Sequence, residues 1–183
     1  MLISEKYRLL NRELHKTRED YGAHAGTKWG KVLSDLCRNL KTWDVLDYGC
    51  GKGSLRKSLP GANVKNYDPA IPEHAADPEP ANIVACFDVL EHIEPECIDD
   101  VIDHMFSKAK MGVILIVATR KAKKFYSNGE NAHLIVEDVY WWLNMLSNPE
   151  FQLQQLNNMD DAEFLAIYKR RDYQKPTDKG ITI

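Results

Sequence analysis

The sequence has no long hydrophobic run. The longest apolar stretch, Val113–Ala118, falls far short of the roughly 18 residues that span a bilayer. The opening residues, MLISEKYRLLNRELHK, lack the apolar core of a secretion signal, so a cytoplasmic protein is expected. Neither charge dominates: 24 Lys+Arg face 27 Asp+Glu for a net charge of −3, which gives no support to a nucleic-acid coat or a binder of acidic membranes. Cys37, Cys50, Cys86 and Cys97 form no CxxC pair, and free buried thiols in a reducing compartment are expected rather than a disulfide framework. There is no internal repeat and no Ser/Gly/Pro-rich linker. A chain of 183 residues that is 44% hydrophobic and 28% charged then reads as one globular domain over 1–183, with a helical segment at 1–42 and a polar tail at 170–183.

Apolar periodicity organises the chain. Leu9, Leu10 and Leu14, then Val32, Leu33, Leu36 and Leu40, recur at helical spacing around a glycine-rich, aromatic loop, YGAHAGTKWG. Short apolar, β-branched runs follow at 45–49, 64–68, 83–87 and 113–118, as expected of parallel strands buried on both faces. Helical stretches are expected at 54–59, from Pro95 to Ser107 and from Glu137 to Leu146. Two closing strands at 151–156 and 163–168 flank the turn-forming NNMDD, with no helix between them. The expectation is an α/β fold: a doubly wound, mostly parallel sheet with N-terminal helices and an antiparallel last strand.

The most informative segment is VLDYGCGKGSL, where a strand ends at Asp47 and Gly49, Gly51 and Gly53 lead into a helix. Glycines serve where a backbone turns sharply and a ligand must approach main-chain atoms. The dinucleotide pattern G-x-G-x-x-G would need glycine where Ser54 stands, and the phosphate-loop pattern fails at Leu46 and Gly53. What remains is D-x-G-x-G-x-G. Asp68, ending the next strand in NYDP, is placed to accept both hydroxyls of a ribose lying across the strand ends.

Together VLDYGCGKG, NYDP and CFDVLEHIEPE resemble the glycine motif, the acidic second-strand motif and the fourth-strand motif of class I S-adenosylmethionine-dependent methyltransferases, over about residues 28–170. The compact chain, with DVLEHIEP and NAHLI, is similar to small phage and bacterial members. The resemblance implies a Rossmann-like fold and S-adenosyl-L-methionine as cofactor. It implies that Asp47 and the loop Gly49, Cys50, Gly51 and Gly53 hold the methionine end. Asp68, with Pro69 beside it, would bind the ribose, and Asp88 and Val89 would lie near the methionyl amino group or the transfer site. Asp77 is a candidate for the adenine, and the Tyr21-Gly22 loop for a cover over the cofactor.

Methyl transfer from a sulfonium is an in-line displacement, needing a base only where the acceptor must lose a proton. His92 and His133 follow strands at the carboxyl edge of the sheet, where open α/β folds bind ligands, and are the candidate bases. Glu91 is a candidate to orient His92 or hold substrate. His15, His74 and His104 read as surface residues, and His24 is notable only for its glycine-rich loop. No metal is expected, because near-consecutive residues such as Glu91, His92, Glu94 and Cys97 rarely converge on one centre.

The basic run TRKAKKFYSNG reads first as a solvated loop and second, being near the active edge, as an attraction for an anionic acceptor; Tyr140, Trp141 and Trp142 are candidates to roof the acceptor pocket. The expected activity is transfer to oxygen or nitrogen of a small molecule, sugar- or nucleotide-like. Neither N-P-P-[YF] nor a Pro-Cys dipeptide occurs, so a nucleic-acid acceptor is the less favoured alternative. A cofactor-binding partner or sensor without catalysis is another, and a nicotinamide oxidoreductase is disfavoured by Ser54. Oligomeric state is not legible.

Overall fold

The computed structural model describes residues 1–160 and 162–173. Two helices, α1 (Glu5–Thr17) and α2 (Ala25–Leu40), precede β1 (Asp44–Tyr48), α3 (Ser54–Ser58) and β2 (Asn63–Tyr67). Then come β3 (Ala81–Phe87), α4 (Ile98–Ser107), β4 (Ala109–Ala118), α5 (Val139–Met145), β5 (Phe151–Met159) and β6 (Glu163–Arg170). The six strands form one sheet in the order β2-β1-β3-β4-β6-β5. The first four run parallel, whereas β6 pairs antiparallel with both β4 and β5.

Continuously apolar strands follow from burial on both faces. Leu46, Val84, Cys86, Val113 and Leu115 point to the side covered by α4 and by Trp142 of α5. Their neighbours Val45, Ile83, Ala85, Ile114 and Ile116 point to the side of α2 and α3, against Leu33 and Leu55. Two glycines in α2 allow that second layer to close. A Cβ on Gly26 would stand 2.2 Å from the Ser54 carbonyl oxygen, and one on Gly30 would stand 2.6 Å from Ser58 Oγ. Helix α1 packs apart from the sheet faces, where Leu14 and Tyr21 meet Tyr126 and Ala132.

Several boundaries differ from the sequence reading. Helix α4 begins at Ile98, not at Pro95, which lies in the turn before it. Strand β5 extends to Met159 and, although its sequence alternates, only Phe151 is buried, because this is the outer edge of the sheet. Between β2 and β3 there is only a 3-10 turn at Pro72–His74. All four cysteines are free and buried. Residues 174–183, most of the expected tail, lie outside the described residues. Among the described residues no helix is long and apolar enough to cross a membrane.

Sheet order decides where a ligand can sit. The chain passes from β1 outward to β2, then returns to the other side of β1 as β3. Loops leaving β1 and β3 therefore diverge to opposite faces and leave a crevice at the carboxyl ends, the usual ligand position in open α/β sheets.

Candidate active site

A cavity of about 360 Å3 opens at that crevice, within the usual range of small-molecule sites, roughly 300–1,000 Å3. Its floor is the loop after β1. Gly49, Gly51 and Gly53 have φ of 74°, 50° and 65°, which L side chains rarely adopt. A Cβ on Gly49 would lie 2.4 Å from Val89, and one on Gly51 would lie 2.5 Å from the Gly22 carbonyl oxygen. The glycines thus permit both the turn and the close approach of neighbouring chain. Gly49, Cys50 and Gly51 line the cavity; Gly53 instead caps the start of α3.

Asp68 ends β2 beside this loop, buried, and accepts from the backbone N–H of Gly51 and of Ala70, each at 3.0 Å. Pro69, Asp88 and Val89 complete the wall. Asp88 is held at a left-handed φ of 56°, and burial raises its pKa. Asp47 does not line the cavity. It is buried with Oδ2 unpartnered, and burial, aided by the charge of Asp68, pushes its pKa up to about 7.

The N-terminal segment closes the opposite side. The Lys52 N–H donates to Gly22 O at 2.8 Å, and Lys52 Nζ donates to the carbonyls of Arg18 and Glu19. Tyr21 and Gly22 accordingly line the cavity, as does His24. His15 was expected at the surface but sits over the glycine loop, its Nε2 3.9 Å from Asp68 Oδ2, with burial lowering its pKa. Nothing in the local sequence marks His15; only packing of α1 across the sheet edge brings it there.

At the far end of the cavity His92 and His133 stack edge to face with ring centroids 4.8 Å apart. His92 Nδ1 lies 2.6 Å from Ala132 O, and His133 Nδ1 lies 2.6 Å from Arg120 O. A carbonyl oxygen only accepts, so each Nδ1 is the protonated nitrogen and each Nε2 of the neutral ring carries a lone pair. Burial, reinforced by His133, pulls the His92 pKa down to about 3; burial also lowers that of His133.

Glu91 is fully buried. Its Oε1 accepts from the Ala118 N–H at 3.0 Å, its Oε2 is unpartnered, and burial raises its pKa to about 8. Its carboxylate thus clasps the end of β4, while its backbone carbonyl accepts from Leu134 and Ile135 N–H and fixes the loop carrying His133. Asn131 holds the same loop by accepting from the N–H groups of Ala122 and His133.

Other expectations do not hold. Asp77 is not in the cavity: it is exposed and paired with His104 and Lys108. His104 is not a free surface residue, since its Nδ1 meets the Tyr48 hydroxyl at 2.7 Å. Tyr140, Trp141 and Trp142 do not roof the pocket; Trp142 is core and Tyr140 is 75% exposed on the surface. The basic run is divided, with Arg120, Lys123 and Lys124 lining the cavity and Lys124 paired with Asp20 at 3.0 Å.

A doubly wound sheet with an antiparallel β6, a glycine loop after β1 and an acidic residue ending β2 define the class I methyltransferase architecture. A family model described as "Methyltransferase domain" matches residues 9–166, so the chain belongs to that family, whose members are S-adenosylmethionine-dependent enzymes. Solved structures share the fold. The 1,6-didemethyltoxoflavin-N1-methyltransferase of Burkholderia thailandensis, with 1,6-didemethyltoxoflavin and S-adenosylhomocysteine bound, has a TM-score of 0.65 at 12% identity, covering 94% of this chain and 92% of that one. The magnesium protoporphyrin IX methyltransferase of Synechocystis PCC 6803, with S-adenosylmethionine bound, has a TM-score of 0.57 at 16% identity, covering 91% and 98%. An rRNA methylase from Escherichia coli has 0.53 at 15%, covering 92% and 77%. A comparison with curated protein sequences finds no significant match.

The cavity fits the cofactor on its own features. The glycine cradle admits close approach to main-chain atoms, and Asp68 keeps lone pairs for a diol beyond its two backbone bonds.

Proposed function

We propose that the protein transfers a methyl group from S-adenosylmethionine to a hydroxyl or amine of a small molecule held beside His92 and His133. The observation that carries this reading is one continuous cavity joining the glycine loop and Asp68 to the two histidines. Bound there, the cofactor supplies an electrophilic methyl on sulfur. The chain supplies position: Gly49–Gly51 and Asp68 for the donor, and the loops after β3 and β4 for the acceptor. Tyr21 and Gly22 limit water on the donor side.

Of the two histidines, His133 is the better base for an acceptor proton, because burial leaves His92 with too low a pKa. Arg120 and Lys123 on the same wall favour an anionic acceptor. The substrates named for two of the similar structures, a porphyrin and 1,6-didemethyltoxoflavin, favour a small molecule over a nucleic acid.

Calorimetric titration with S-adenosylhomocysteine tests the reading. Wild type is expected to bind at micromolar levels. Asp68→Ala, losing charge-assisted bonds of about 1.5–3 kcal/mol, is expected to bind roughly 10- to 100-fold more weakly. Equal affinity of the two proteins refutes the placement of the ribose, and no binding by wild type refutes the function.

A further inference from the structure

Ligand atoms of Glu91, His92 and His133 all lie within 4.8 Å of one another. The three side chains come from two loops separated by about forty residues of chain, so the grouping is made by the fold and not by adjacency. Both histidines also have their outer nitrogens committed: Nδ1–H to the carbonyls of Ala132 and Arg120, at 2.6 Å each. That leaves each Nε2 as a fixed lone-pair donor, the second-layer arrangement common to metal-binding imidazoles. The Glu91 Oε2 is fully buried and has no hydrogen-bond partner. A buried carboxylate oxygen left unpaired is costly, and a cation would satisfy it.

We infer that Glu91, His92 and His133 form a binding site for one divalent transition-metal ion, which holds and activates the hydroxyl of the acceptor. A two-imidazole, one-carboxylate set suits ions such as Mn2+, Fe2+, Co2+ or Zn2+ better than Mg2+ or Ca2+, which prefer oxygen ligands. At metal–ligand distances of about 2.0–2.2 Å, ligand atoms around one ion stand roughly 3–3.5 Å apart, so the group closes by about 1–2 Å when loaded. The half-buried His133 side chain can make that movement while its loop stays pinned by Asn131 and the Glu91 carbonyl.

Three protein ligands leave coordination positions open toward the cavity. They suit an acceptor that presents a hydroxyl with a second oxygen close enough to chelate.

The ion's role in the reaction rests on the methyltransferase reading above, whereas the site itself does not. A coordinated hydroxyl is more acidic, so its proton leaves to water through the open cavity. The alkoxide oxygen then forms a bond to the methyl carbon as the carbon–sulfur bond breaks. The electron pair of that bond stays on sulfur, giving S-adenosylhomocysteine. No oxidant or reductant takes part. In this arrangement the ion replaces His133 in the role of activating the acceptor: both histidines hold the ion, and neither takes the proton.

Tag-free protein stripped with chelator is dialysed against Co2+ and, separately, Mn2+. Bound metal is measured by mass spectrometry and the cobalt complex by its visible absorption. The expected result is one ion per chain at a Kd of about 10 μM or tighter, weakened at least tenfold in His133→Gln and in Glu91→Gln. The visible cobalt bands of the loaded protein should also shift in His133→Gln, because one of the two imidazole ligands is gone. Glutamine at 91 keeps the bond from Ala118 N–H, and thermal unfolding in chelator verifies that both variants fold. If one does not, the other gives the same readout.

Binding that is absent from wild type at about millimolar free metal, or unchanged in both variants, overturns the site. S-adenosylhomocysteine titrated in chelator separates the two proposals. Cofactor binding without metal binding removes the site and leaves the function. Metal binding without cofactor binding removes the function and leaves the site.

Discussion

Replacing Asp47 by asparagine reads out the cost of a carboxylate buried beneath the glycine loop. Burial and the neighbouring Asp68 push its pKa from 3.8 up to about 7. In the unfolded chain it titrates near the ordinary value, so the folded protein holds this proton more tightly. Its contribution therefore favours folding below pH 3.8 and is lost as pH rises from there through about 7. The full difference corresponds to about 4 kcal/mol at 1.36 kcal/mol per pH unit. The penalty is about 1.6 kcal/mol at pH 5 and about 4 kcal/mol at pH 8.

Asparagine has nearly the same shape and no charge. Asp47→Asn should thus exceed wild type in stability by about 2–3 kcal/mol more at pH 8 than at pH 5. Urea unfolding of both proteins at the two pH values measures this directly. Taking the difference between variants cancels the other raised carboxyls, Asp88 and Glu91. Parallel pH profiles for the two proteins would show that Asp47 ionises normally in the fold and refute the reasoning.

Gly26→Ala should destabilise by about 1–3 kcal/mol, because its Cβ meets the Ser54 carbonyl at 2.2 Å. Gly129→Ala, with φ of 85° but open space around it, is expected to cost only the backbone conformation; chemical denaturation compares the pair. Trp142→Ala removes a fully buried side chain between α5 and the sheet and should cost about 3–5 kcal/mol by the same assay. Gly51→Ala should abolish binding of S-adenosylhomocysteine in calorimetry, since the new methyl drives the Gly22 carbonyl out of the cavity wall.

Much of the architecture was legible because the strands are buried on both faces and so carry unbroken β-branched runs; 83–87 and 113–118 fall within β3 and β4. Strand β5 misled because an edge strand need not bury the apolar half of its alternation. On the donor side, the glycines and Asp68 were readable because close backbone approach admits so few residue types. Asp77 was misplaced because a motif without a regular element around it has no register to fix its direction.

The parallel sheet, the glycine cradle and the family could be read from the chain alone, since these depend on local periodicity and on residues whose backbone freedom or charge cannot be substituted. Packing in three dimensions was needed to bring His15 over the cradle beside the Tyr21-Gly22 loop, and to carry His133 to His92 from forty residues away. It also decided that Glu91 faces the end of β4 with one oxygen unpaired. Those contacts join segments distant in the chain, and their direction is set by how helices and loops pack on the sheet edge, for which short-range spacing holds no record.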